Sequence, residues 1–102
     1  MALLNAVTTT GASTSIKGKY VYSAQAVGTT TAGVGAATIN IEVSADNVNW
    51  LVAFTISLTL GTAATSDGQG LAYRWEWVRA NVTAISGTGA AVTVTAGDGA
   101  TI

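Results

Sequence analysis

The run Trp50-Leu51-Val52-Ala53-Phe54-Thr55-Ile56-Ser57-Leu58-Thr59-Leu60 alternates in chemistry. Trp50, Val52, Phe54, Ile56, Leu58 and Leu60 fall on one side of an extended chain, and Thr55, Ser57 and Thr59 on the other. A period of two is that of a strand with one face on a core and one toward water. At ~3.3 Å per residue such a strand would run about 36 Å, longer than most. So long an apolar row needs an equally long surface to cover it. The rest of the chain reads as the strands that supply that surface.

The nearest of them lies just upstream. In Ala37 to Ala45, the residues Ile39, Ile41, Val43 and Ala45 point one way, and Thr38, Asn40, Glu42 and Ser44 the other. Asp46-Asn47-Val48-Asn49 then precedes Trp50, and Asp and Asn tolerate the backbone of a tight turn. Residues 37–60 therefore read as a hairpin. Its core residues are expected to be Ile39, Ile41, Val43, Val52, Phe54, Ile56 and Leu58. Asp46, Asn47 and Asn49 could offer oxygens to Ca²⁺, but the regular ladder, the Gly and the closing Glu of a calcium loop are missing, which favours a plain turn.

Further out, Ser15 to Val27 reads as a strand, with Ile16, Tyr20, Tyr22 and Ala24 on one side and Lys17, Lys19, Val21 and Gln25 on the other. Gly28 to Gly35 and Gly61 to Gly70 read as loops. In Leu71 to Ile85 the row Leu71, Tyr73, Trp75, Trp77 gives way to Val78, Ala80, Val82, Ala84. A change of apolar phase means a bulge, or a strand crossing between sheets. Arg74 and Glu76 read as neighbours on one face, with Arg79 on the other row. Ala90 to Ala96 is the last strand, with Val92 and Val94 inward. Residues 1–14 are expected to form an N-terminal arm or an edge strand, 15–97 the sandwich, and 98–102 a C-terminal tail. The fold expected is all-β, an antiparallel β-sandwich of Greek-key or jelly-roll type.

A chain of 102 residues makes one domain and can bury a core without staples. There is no Cys and no His, which removes disulfides, thiolates and the commonest general base. With net charge −1 and 9% charged residues, no electrostatic footprint for nucleic acid or an anionic membrane exists. Residues 1–15 lack the basic and long apolar regions of a secretory signal. So few charges suit either a small Thr-rich β domain or, the reading we favour, a subunit covered by its neighbours.

The candidate chemistry is sparse. Glu42 with Glu76 is the carboxylate pair an enzyme would need, and nothing in the sequence sets their separation. No enzyme activity, cofactor, metal or small-molecule ligand is expected. Tyr73, Trp75 and Trp77 could form an aromatic platform for a sugar or base, but read better as core or interface anchors. Leu3, Leu4 and Val7 complete the candidate interface set, since a sandwich starting near Ser15 leaves them no place.

Two segments resemble a known family. Residues 36–46 with Asn49-Trp50, and Arg79 to Gly89 with the Val92/Val94 strand, look like the strand–turn–strand and C-terminal hairpin patterns of small virion proteins of tailed bacteriophages. Asn47-Val48 stands where that family usually has Gly. The resemblance implies a β-sandwich that decorates and cements a capsid, often as a trimer. It implies a homo-oligomer bound to the major capsid protein on the outside of the virion, made in the host cytoplasm. Related folds occur in tail and fibre parts, which makes a module binding a surface glycan or another tail protein the alternative.

Overall fold

The computed structural model describes residues 2–17, 21–71 and 75–98. These contain the strands β1 (Ala2–Val7), β2 (Gly11–Ala12), β3 (Ile16–Lys17), β4 (Val21–Thr29), β5 (Ala32–Ser44), β6 (Leu51–Leu60), β7 (Thr65–Gly70), β8 (Trp77–Thr88) and β9 (Ala91–Asp98). No helix occurs among the described residues. One sheet has the order β1-β9-β4-β7, and the other β2-β8-β5-β6, with β3 also on β8. All the pairings are antiparallel.

The pairings nest. β5 pairs with β6, β4 with β7, β2 and β3 with β8, and β1 with β9. The chain is thus a two-stranded ribbon, folded back at residues 45–50 and rolled into two packed sheets. That is the strand order of a jelly roll, with β2 and β3 as two pieces of one broken strand.

The core sits between sheets of unequal side-chain size. The second sheet supplies Ile39, Ile41, Val43, Phe54, Ile56, Leu58, Leu60, Val78 and Val82, all buried. The first supplies mostly smaller groups: Ala24, Ala26, Val92, Val94 and Ala96. Large residues on one sheet thus meet small ones on the other, which keeps the interior filled. Gly28 takes this furthest, since a Cβ there would lie 2.5 Å from Leu60 Cδ2.

Of the expected core, Val52 is the exception, at 54% exposure. Ile41 pairs with Phe54 but Glu42 with Val52, so Ala53 is an extra residue in β6. Such a bulge turns every side chain before it to the opposite face. The same device recurs in β4 and β8. Tyr22 is extra in β4, so Val21 and Ala24 both face inward although they lie three apart. Thr83 is extra in β8, so Ala84 leaves the apolar row and is exposed.

Other expectations shift as well. Ser15 to Val27 is two strands on different sheets, β3 and β4, with residues 18–20 outside the described set. The loop expected at 28–35 shrinks to Thr30 and Thr31, because β5 begins at Ala32. The loop expected at 61–70 contains β7, an exposed edge strand on β4. Within the expected N-terminal segment 1–14, β1 is an edge strand beside β9 and so belongs to the same sandwich as the strands that follow Ser15. The phase change near Trp77-Val78 marks the crossing from β7 in one sheet to β8 in the other. Residues 99–102 of the expected tail lie outside the described residues.

Two glycines separate packing from backbone effects. Gly28→Ala should lower stability by about 1–2 kcal/mol through overpacking against Leu60. Gly61→Ala should be close to neutral, because nothing lies within 4 Å of a Cβ there. Phe54→Ala should cost about 3–5 kcal/mol. Denaturant titration of the three variants measures all of these.

Candidate interaction site

The fold-back at 45–50 is built from side chains rather than glycine. The Asp46 carboxylate accepts hydrogen bonds from the Val48 N–H (2.9 Å), the Asn49 N–H (2.8 Å), Asn49 Nδ2 (2.8 Å) and Ser44 Oγ (2.9 Å). Ser44 Oγ in turn accepts from the N–H groups of Asp46 and Asn47. Asn47 has φ 62, the left-handed conformation that Asn tolerates and Gly would otherwise fill. Hydrogen bonds to the ionised form, led by the Asn49 and Val48 N–H groups, hold the Asp46 carboxyl well below the usual carboxylate range. The carboxylate is therefore engaged by its own turn. No cluster of three metal-ligating residues occurs among the described residues.

Beside this turn lies the outer face of the β2-β8-β5-β6 sheet. Glu42 and Arg79 are opposite each other on β5 and β8, with Arg79 Nε 2.7 Å from Glu42 Oε1. Asn81 Nδ2 donates to Glu42 Oε2 at 3.2 Å, and the Arg79 guanidinium lies 4.2 Å from the centre of the Trp50 ring. At 10% exposure for Glu42 and 26% for Arg79, this pair is largely dehydrated. Next to it, Lys17 Nζ contacts Glu76 at 2.6 Å and sits 4.1 Å from the Trp77 ring centre. That second pair is more than half exposed on both sides and worth ~0.5 kcal/mol. Glu42 and Glu76 are thus each held by a different cation.

The outer face of the other sheet is different in kind. Its β4 and β9 positions are Ser23, Gln25, Val27, Thr29, Ala91, Thr93 and Thr95, none of them charged.

An apolar cleft of about 230 Å³ opens at the turn end, where β6 and β7 diverge. Val43, Leu51, Val52, Ala53, Phe54, Leu71 and Trp75 line it, with Gln69 and Gly70 on its β7 side. Leu51 and Val52 are more than half exposed at its mouth.

Of the six expected interface residues, the five that the structure describes do not form one patch. Leu3, Leu4 and Val7 are half-buried in β1 and pack on the core, because two register shifts turn irregularly spaced residues inward. Of the two alternatives expected for residues 1–14, an arm or an edge strand, β1 takes the form of an edge strand of the chain's own sheet. Trp75 is half-buried in the cleft wall, and Trp77 stands on the sheet face with Lys17. Tyr73 and Arg74 lie outside the described residues. Leu51, Trp50 and the Glu42–Arg79 pair were not among the expected site residues. A signal for Leu51 exists, since it is apolar on the side of the strand that Thr55, Ser57 and Thr59 occupy.

No family model matches the chain, and no curated protein does. Among solved structures the chain is similar to PBSX exported protein XepA, with a TM-score of 0.52 and 18% identity. The match covers 97% of this chain and 37% of XepA. The likeness is one of fold.

Two variants test the site's electrostatics. Arg79→Met leaves Glu42 without its cation and should cost about 1–3 kcal/mol by chemical denaturation. Asp46 has a folded-state pKa below its unfolded value, so its contribution is complete above an ordinary carboxylate pKa of ~3.9 and is lost as pH falls below that. Asp46→Asn should therefore melt at lower temperature than the unaltered chain at pH 7. The gap should close as pH is lowered from ~4 toward 2.

Proposed function

We propose that this chain is a structural protein of a bacteriophage virion that decorates the outer surface of the capsid and ties neighbouring coat subunits together. It acts by contact and not by catalysis, without a cofactor, and its partners are the major capsid protein and its own copies. It is made in the host cytoplasm and ends on the capsid exterior. The observation that carries this reading is the uncharged outer face of β4 and β9, made of Ser, Thr, Gln, Ala and Val. Charge is depleted where a surface is buried against a neighbour. The hairpins at 36–50 and 79–94 that resemble small virion proteins are consistent with it, and so is the fold shared with XepA, a phage-related protein. Pairing of sheet edges with another chain and burial of the apolar cleft would supply the contacts. Many copies on one shell make weak contacts sufficient.

One observation favours a second reading. The sandwich corresponds to 37% of XepA, so this fold also occurs within a larger protein. A tail or fibre module binding a surface glycan or another tail protein would fit that.

Adding the purified chain to particles that lack it distinguishes the two. The decoration reading expects saturable co-sedimentation with tailless capsids and a higher temperature of particle rupture. Label confined to tails in electron micrographs, with no binding to capsids, would replace it by the module reading.

A further inference from the structure

The four sheet edges are not equally protected. The first sheet ends in β1 and β7, the second in β6 and the β2–β3 pieces. An exposed edge offers unpaired N–H and C=O groups to any other strand, so proteins blunt their edges with charges, bulges and breaks. β1 has two register shifts and a positive φ of 50 at Ala6. β2 and β3 are two residues each, and Lys17 stands on the second. β7 carries Asp67 and two glycines in six residues. β6 has none of these from Phe54 to Leu60, although the Thr65 hydroxyl of β7 donates to the Thr59 carbonyl near its far end, and no charged residue occurs between Asp46 and Asp67.

We propose that β6 pairs antiparallel with β6 of a second copy across a two-fold axis, extending the β2-β8-β5-β6 sheet through both molecules. Symmetry selects the occupant. A closed ring of three needs a heterologous contact, in which one surface meets a different one. Strand pairing in such a ring would require a second open edge, and the other three are blunted. An isologous pair uses the same edge twice. It tolerates only an edge that does not repel itself, and β6 carries no charge. In this arrangement Thr55, Ser57 and Thr59 of the two copies face one another as a row of hydroxyls on the outer face, a favourable cross-strand pairing. The exposed Leu51 and Val52 come beside the chain just past the end of the partner strand. The resemblance to virion proteins implies a trimer, whereas pairing through β6 gives a two-fold pair. The inference stands apart from the capsid reading, since the pair forms without coat protein.

Sedimentation velocity of the full chain over a range of concentration tests it, with a discrete monomer–dimer equilibrium expected. Ser57 is exposed near the middle of β6, so the axis brings its two copies within a residue or two of each other. Ser57→Lys should abolish the dimer, and mixing it with Ser57→Glu should restore a mixed dimer. Ser66→Lys on β7 should leave the dimer intact. Hydrogen exchange on the unaltered chain gives a readout that needs no variant: amides of β6 should lose protection on dilution, and those of β7 should not. A chain that stays monomeric, a trimer, a dimer that Ser57→Lys leaves unchanged, or β6 protection independent of concentration would each overturn the proposal. So would a monomer whose Ser57→Lys form fails to bind capsids, which would make coat protein the occupant.

Discussion

The reversal at residues 45–50 is the constraint from which both sheets are counted. Asp46 gathers two backbone N–H groups, the Asn49 amide and the Ser44 hydroxyl, which fixes how Ser44 and Trp50 leave the turn. From there each residue pairs with one about as far beyond the turn as it lies before it: Ile41 with Phe54, Ala24 with Gln69, Ile16 with Val78, Leu4 with Val94. Nesting has an energetic consequence. Once β5 and β6 are paired, the next pair closes only a short loop, because Thr30-Thr31 and residues 61–64 are the only links to β4 and β7. A fold dominated by long-range contacts thus avoids closing long loops all at once.

How much of this could be read from the sequence follows from the physics of a period of two. Ile39, Ile41 and Val43, and then Phe54, Ile56, Leu58 and Leu60, alternate without interruption and lie in the core as the pattern requires. Alternation fails at bulges, because one extra residue inverts the phase of everything beyond it. Val52, Val21 and Ala84 each lie next to such a residue, and a strict period of two puts each of them on the wrong face. The run Leu51-Val52-Ala53, apolar on both sides, is the trace that the first bulge leaves in the sequence. β7 left none. Thr65-Ser66-Asp67-Gly68-Gln69-Gly70 is poor in β-formers and buries little, and it is a strand because the backbone of β4 lies beside it.

The candidate site was less legible, for a related reason. Glu42 and Arg79 lie 37 positions apart, and only the β5–β8 register makes them neighbours. Trp50 joins them because the turn returns it to that face. A carboxylate on a strand's polar side reads as solvated until the register supplies a guanidinium and an indole to cover it. Residue type still carried some information. In a chain with 9% charge, each charged side chain is worth placing, and Lys17, Glu42, Asp46, Glu76 and Arg79 all have partners.

Threonine explains how so weakly charged a surface can meet both water and a neighbour. It is β-branched and suits a strand, and its hydroxyl can bond to nearby backbone. Here Thr30 Oγ1 donates to the Gly33 carbonyl, Thr31 Oγ1 to Thr88, Thr65 Oγ1 to Thr59 and Thr83 Oγ1 to Thr38. A hydroxyl that already has a protein acceptor loses little when water is removed, whereas a Lys or Glu in its place would lose its hydration shell. Where a surface hydroxyl is bonded in this way, the area around it can be covered without leaving an unpaired group behind. On such a surface the geometry of the edges, rather than charge, selects which contacts form. Three edges are bent, broken or glycine-rich, and the stretch that is regular, Phe54 to Leu60, belongs to the strand whose apolar row organises the core.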